Sequence, residues 1–459
     1  TRDRLGVEVA RSLTGGLGSR WLRAQLGRPV QQQLVAGGLV LRERQYTWDI
    51  GDRLRMVFDS QYGTARYTHD RLGNLAVAAY DQGTPKEFRM PDAVGNLFRT
   101  EDRSDREYGP AGQLLKSTDA KGRVYRYDYD AEGNLIRKTR NDDEMWQYRW
   151  GADGMLKAVI RPDGQEVSFA YDPLGRRIRK TYLGLTTRWV WDGNVPLHEW
   201  VEGEFRPVVR SGPLPQWMDG QTQQREALLA LHLQRGPPAL GSLQRPITWL
   251  FEPESFSPMA KLHGDHQLSI LTDHLGAPIA MHDADGQHAC SAQLGSSGEP
   301  RRHTQGHLPD YPFRWPGQYA DVETGLYYNR FRYYDADEGL YLSQDPIGLR
   351  GGSVLYGYVV DPNYWTDAFG LNPTAISLGL RQVDKTVTYK GMTFTGTASE
   401  NLRDFSKKMD APHWEHFDPH PDLPSRIRNA MDDAEVIHFN LEGIGAKPGY
   451  VTVEDILQN

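Results

Sequence analysis

The sequence predicts a mainly β protein: a long, spiralling antiparallel sheet built from repeats, followed by a small α+β unit. Three observations carry this reading. A 21-residue period runs through the first part of the chain, apolar side chains alternate with period two inside each repeat, and both features stop after Leu371.

The period is read from four matching segments. Tyr108–Gly112, Tyr129–Gly133, Trp150–Gly154 and Tyr171–Gly175 each place an aromatic residue four positions before a glycine, and the aromatics step by 21 residues. Tyr125, Tyr127 and Tyr129 become Trp146, Tyr148 and Trp150, then Val167, Phe169 and Tyr171, at constant offsets. Such alternation belongs to a strand with one buried face. Leu114, Leu135 and Leu156 each follow a repeat glycine by two residues and open a second strand. Turns such as Asp163-Gly164 and Ala120-Lys121-Gly122 close it. A two-stranded unit cannot bury its aromatic face alone, so successive units are expected to pair edge to edge into one continuously twisting sheet. Weaker copies surround Gly73 and Gly95. Residues 206–245, with SGPLPQ and QRGPPALGS, read as an irregular insertion.

Composition limits the function classes. The 53 Lys+Arg and 60 Asp+Glu give a net charge of -7, spread along all 459 residues, which supplies no electrostatic case for nucleic-acid or membrane binding. The one cysteine, Cys290, excludes an internal disulfide and is expected to be a buried thiol. No run approaches the about 18 apolar residues of a membrane span, and residues 1–40 lack the apolar core of a signal peptide. A soluble chain with no stable membrane span is expected.

The motifs Tyr129-Asp130-Ala131-Glu132-Gly133 and Tyr171-Asp172-Pro173-Leu174-Gly175 resemble the YD repeats of Rhs proteins and of the C components of insecticidal toxin complexes. TDHLGAP at 272–278, Asp283-Ala284-Asp285-Gly286, and GQYADVETGLYYNRFRYYD at 317–335 are similar to the end of an Rhs core, and the resemblance spans about residues 46–371. Asp345-Pro346-Ile347-Gly348 is followed, after eighteen residues, by Asp367-Ala368-Phe369-Gly370. This resembles the paired DPxG motifs that end such cores, except that Ala368 stands where proline is usual. Because the carboxylate carries the chemistry and proline mainly sets the turn, the departure is expected to slow cleavage rather than abolish it.

The resemblance implies a division into a hollow β-shell, 1–371, with a self-cleavage region at about 311–371, and a toxin domain, 372–459. Cutting a peptide bond needs a base to activate water and an acid for the leaving amine, and paired carboxylates supply both. The family's aspartyl-protease pair falls on Asp345 and Asp367, with the scissile bond between Leu371 and Asn372, cut once per molecule and without a cofactor. The family's upstream arginine falls on Arg332, by spacing a better match than Arg330; its charge would hold an aspartate ionised or stabilise the oxyanion. The implied partners are the chain's own C-terminal toxin as encapsulated cargo, a cognate immunity protein, and a secretion spike or chaperone reached through upstream sequence. The implied route starts in the bacterial cytoplasm and ends in a target cell.

After Leu371 the repeat character is lost. Thr397-Ala398-Ser399-Glu400 is a capping box before a helical pattern through Leu402, Phe405 and Met409; Ser425 caps a second, and a strand is expected at 436–441. The last segment, TVEDILQN, starts like a helix and stops before any C-terminal signal, so an incomplete domain is expected. VIHFNLEGI, 436–444, resembles a segment near the C-termini of several Rhs proteins. His438, with Asn440 and Glu442, is the first candidate for acid–base and positioning work. His413, His416 and His420 around Glu415 and Asp418 lie in a proline-rich polar loop and lack the HExxH spacing, so no metal is assigned. Nine Lys/Arg against thirteen Asp/Glu in 372–459 leave a balance of -4, the wrong sign for non-specific nucleic-acid binding. Nuclease and ADP-ribosyltransferase classes stay open, with any toxin cofactor unknown. The alternatives are a cell-surface adhesion protein that binds carbohydrate through exposed Tyr and Trp, or an inactive toxin remnant.

Overall fold

The computed structural model describes residues 1, 8–24, 27–81, 85–140, 144–204, 246–304 and 311–371, together with the backbone of 385–389 and 392–396. The insertion at 206–245, the capping box at Thr397, and His438, Asn440 and Glu442 lie outside the described residues.

Each 21-residue repeat makes two turns, one preceded by a bulge and one without. In the turn after the bulge, Asp130 Oδ1 accepts from the Asn134 backbone N–H at 2.7 Å and Oδ2 from its side-chain amide at 3.0 Å, while the Gly133 N–H donates to the Asp130 carbonyl at 3.1 Å. Asp70 with Asn74 and Asp92 with Asn96 make the same arrangement, and Asp172 makes it with Arg176. Gly133 sits at φ +79°, where a Cβ is disfavoured, which accounts for the glycine of the motif. The bulge comes just before the turn: the ladder slips at Asp128/Tyr129, Arg149/Trp150 and Ala170/Tyr171. Bulges sharpen the right-handed twist, so a regular series of them makes the sheet coil. Each bulged aromatic also reaches back to the preceding unit; Trp150 Nε1 donates to the Leu135 carbonyl at 2.8 Å and the Tyr171 hydroxyl to that of Leu156 at 2.6 Å.

All strands of the two large sheets are antiparallel to their neighbours and follow chain order. Eight run from β1 (Ala10–Ser12) to β8 (Glu87–Phe88), and sixteen from β11 (Arg106–Tyr108) to β26 (Pro300–Thr304). The expected single sheet is therefore interrupted. Between the two, β9 (Met90–Pro91) and β10 (Leu97–Phe98) pair with each other alone. The Gly95 unit keeps its aspartate turn, but Pro91 brings no N–H to a ladder, and pairing stops there. No α-helix occurs among the described residues.

Alternation sorts the sixteen-stranded sheet into two faces. Leu114, Leu135, Leu156, Tyr127, Tyr148 and Phe169 are buried, while Leu115, Ile136 and Met145 on the other side are exposed. The buried face is covered by a meander, β27 (Tyr319–Ala320), β28 (Leu326–Asn329), β29 (Arg332–Asp335) and β30 (Leu340–Tyr341), whose Tyr328, Tyr333 and Leu340 enter the same core. The meander and the segment after it are pinned to two repeat turns, at Gly133 and Gly175. The Leu135 N–H donates to the Leu342 carbonyl at 2.8 Å, the Tyr356 hydroxyl to that of Gly133 at 2.8 Å, and the Tyr328 hydroxyl to that of Gly175 at 3.1 Å.

The inner face is less apolar than the alternation predicts. Arg177 stands where the preceding units have leucine, and it is fully buried with Lys180 against Asp321 and Glu323. Lys138 similarly reaches Asp335 at 2.9 Å and Glu338 at 3.3 Å. Charges at such depth persist only when paired. Cys290 is buried among Trp249, Ile270 and Met281, as expected of it. After the shell, β31 (Lys385–Tyr389) and β32 (Met392–Gly396) form an antiparallel hairpin.

Candidate active site

The hairpin of β28 and β29 turns through Arg330 and Phe331, with Arg330 at φ +54°. Strand alternation and this tight turn send the two arginines to different places. Arg330 Nη2 donates to the Leu174 carbonyl at 2.8 Å, at a repeat turn. Arg332 is fully buried, and its Nη2 lies 3.0 Å from Asp345 Oδ2 and 3.2 Å from Asp367 Oδ2. The three residues singled out from the sequence thus form one cluster, and the choice of Arg332 over Arg330 agrees with it. The two carboxylates are joined through the guanidinium, which sits between them.

The remaining bonds of Arg332 fix the chain end. Nη1 donates to the Leu355 carbonyl at 3.1 Å, and Nε donates to the Gly370 carbonyl. Asp367 Oδ1 accepts the Leu371 N–H at 3.0 Å, so residues 370 and 371 are gripped by two members of the cluster. Gly370 has φ +67°, and a Cβ on it would lie 2.4 Å from the Asn329 carbonyl oxygen. Glycine is required there on both counts.

Asp345 is placed by its own turn: Oδ1 accepts the Ile347 N–H at 3.0 Å, and the Gly348 N–H donates to its carbonyl at 2.9 Å. Its Oδ2 touches Arg332 but has no hydrogen-bonded partner among the described residues. That oxygen and the Leu371 carbonyl oxygen both border Gly351; a Cβ built on Gly351 would be 2.5 Å from Asp345 Oδ2 and 2.6 Å from the Leu371 oxygen. Burial pushes the Asp345 carboxyl up to about 6, with the nearby Asp367 charge adding to it and Arg332 and the Ile347 N–H opposing. The Asp367 carboxyl is surrounded by donors: Arg332, the Leu371 N–H and, at 2.8 Å, the Tyr341 hydroxyl. Such a shell suits a carboxylate, whereas Asp345 is set to hold a proton beside a carbonyl oxygen.

Sequence reasoning missed Tyr341, Asn329 and Gly351, although the first two lie within the YYNRFRYYD and LYLSQDP stretches. Ala368 is buried, and Gly317 packs on its backbone so closely that a Cβ at 317 would be 2.1 Å from the Ala368 oxygen. No Trp or Tyr is exposed among the described residues. No group of three or more His, Cys, Asp or Glu able to hold a metal occurs among them either. No described helix is long and apolar enough to cross a membrane.

A chain-ordered antiparallel sheet made from an aromatic–glycine unit, and ending on a buried Asp–Arg–Asp cluster, defines a YD-repeat shell. The RHS Repeat family profile matches residues 108–145 and 150–187, and the chain belongs to the Rhs family of YD-repeat proteins. It is similar to double-stranded DNA deaminase toxin A of Burkholderia cenocepacia, 32% identical over 85% of this chain and 27% of that protein. Probable deoxyribonuclease RhsB of Dickeya dadantii is 30% identical over 77% of this chain and 21% of its own length. Toxin protein Tse5 of Pseudomonas aeruginosa is 30% identical over 78% and 29%. The chain spans less than a third of each of these relatives. Among solved structures, a TcdB2-TccC3-Cdc42 complex aligns with 81% of this chain and 21% of its own at 16% identity, with a TM-score of 0.41.

Proposed function

We propose that this chain is the C-terminal part of a polymorphic toxin whose β-shell cuts itself between Leu371 and Asn372, separating the segment from 372 onward as an enzymatic toxin. The observation that carries this reading is the burial of Asp345, Arg332 and Asp367 in one cluster that also grips residues 370 and 371.

The chemistry is hydrolysis by two carboxyl groups in different protonation states. Asp367 takes a proton from water as the water oxygen bonds to the Leu371 carbonyl carbon. Protonated Asp345, beside the carbonyl oxygen, donates its proton there. On collapse the carbon–nitrogen bond breaks, the Asn372 nitrogen leaves with the proton held by Asp367, and the second hydroxyl proton returns to Asp345. Arg332 balances the negative charge throughout, and no metal or cofactor is called for. The names of two relatives, a double-stranded DNA deaminase toxin and a probable deoxyribonuclease, favour a DNA-directed toxin; carriage by the shell, delivery into a target cell and a cognate immunity protein complete the proposal.

The test is intact mass with N-terminal sequencing of the wild type beside Asp345→Asn and Asp367→Asn. A fragment beginning at Asn372 in the wild type alone is expected; cleavage unchanged in both variants would overturn the assignment. Growth arrest on expression inside a bacterium, relieved by a neighbouring small gene, is expected of a live toxin and not of a remnant.

A further inference from the structure

We infer that Tyr341, oriented by Asn329, is the positioning residue that keeps Asp367 in its role as the base, an inference that rests on the self-cleavage reading above.

The direction of every proton in this network is fixed by elementary donor–acceptor rules. Asn329, at the end of β28 and fully buried, points its side-chain nitrogen at both the Asp367 carbonyl, 2.8 Å, and the Tyr341 hydroxyl, 2.6 Å. A carbonyl only accepts, so the amide nitrogen must face it. That nitrogen only donates, so the Tyr341 oxygen must accept from it. The phenolic hydrogen is then left with one direction, toward Asp367 Oδ2 at 2.8 Å.

The ring is held as firmly as the hydroxyl. The Arg332 guanidinium lies 3.7 Å over the centre of the Tyr341 ring, so the same arginine that pairs with both aspartates also packs on the residue that donates to one of them. Burial and the Asp367 charge keep the phenol protonated, so the hydroxyl stays a donor. Neighbouring members of one meander, β28, β29 and β30, supply Asn329, Arg332 and Tyr341. The network gives Asp367 a hydrogen-bond donor that Asp345 Oδ2 lacks. It therefore separates the two carboxyl groups into base and acid.

The experiment follows cleavage of the full chain in cell-free translation, across pH, for wild type, Tyr341→Phe, Asn329→Ala and Asp367→Asn. Losing a charge-assisted donor is expected to slow Tyr341→Phe by about 10- to 100-fold and to move the acid limb of its pH–rate profile upward. Asn329→Ala is expected to shift the limb the same way by less, because the hydroxyl remains but loses its fixed direction. A merely structural role would lower the yield of folded protein without moving the limb. Wild-type rate, or a slowed rate with the limb in place, for folded Tyr341→Phe overturns the inference while leaving the aspartates in their roles. Cleavage by Asp367→Asn at the wild-type rate overturns both.

Discussion

Arg177 takes the place that leucine holds in the three preceding repeats, and its guanidinium grips Asp321 through both carboxylate oxygens, at 2.5 and 3.1 Å. The pair is fully buried and ties the repeat sheet to the meander that carries the proposed active site. Lys180 shares Asp321 at 3.0 Å and adds Glu323 at 2.8 Å. Removing one member of such a cluster leaves buried charge uncompensated, at about 3–5 kcal/mol. Asp321→Ala strands Arg177, while Lys180 keeps Glu323, and Arg177→Leu strands no charge, since Asp321 keeps Lys180. Thermal unfolding should therefore show the larger fall for Asp321→Ala, and equal falls would contradict this account.

Gly351→Ala tests the placement of the scissile carbonyl. Its methyl would enter the space between Asp345 Oδ2 and the Leu371 oxygen, closer than van der Waals contact to both. The backbone oxygen must move, and displacement by about 1 Å in a reacting geometry costs roughly 100-fold in rate. Expected is a folded, essentially uncut chain by intact mass. Wild-type cleavage in this variant would mean that Asp345 does not act on that carbonyl.

Ala368→Pro should restore what the second motif lacks. The Ala368 N–H has no hydrogen bond among the described residues, so proline forfeits none. Restricting the unfolded chain then stabilises by about 0.4–1 kcal/mol. A higher unfolding midpoint in an uncut Asp345→Asn background, together with faster cleavage in the parent, is the expected result. A lower midpoint would show that the native backbone at 368 is incompatible with proline.

Asp345, Asp367 and Arg332 were legible through the resemblance of their motifs to the end of an Rhs core, and the 21-residue period exposed the turns and strands. The interruption at Pro91 was harder to see, since the Gly95 turn keeps its aspartate and glycine and only the pairing fails. Arg177 reads in one dimension as a broken repeat; its reason lies at Asp321, 144 residues away. Tyr341 and Asn329 were missed for a similar cause. Each is one more polar or aromatic residue in a Tyr-rich stretch until the meander brings them to Asp367. Gly351 is defined by Asp345, six residues before it, and by the Leu371 oxygen, twenty residues after it, a closeness that no sequence pattern encodes.

Asp345 gives the cleavage reaction and the fold a shared pH dependence. Burial raises its carboxyl from 3.8 to about 6 in the folded chain. Between these values the native state holds a proton that the unfolded state has released, so its stabilising contribution is present at low pH and lost as pH rises through about 6. Of the two uncut variants, Asp367→Asn keeps Asp345 and should lose unfolding midpoint from pH 4 to pH 7.5, whereas Asp345→Asn, in which Arg332 stays paired with Asp367, should change less. The reaction follows the same group. If protonated Asp345 is the acid, the cleavage rate falls as pH rises through about 6. A rate that instead climbs from pH 5 to pH 8 would reverse the roles of the two aspartates.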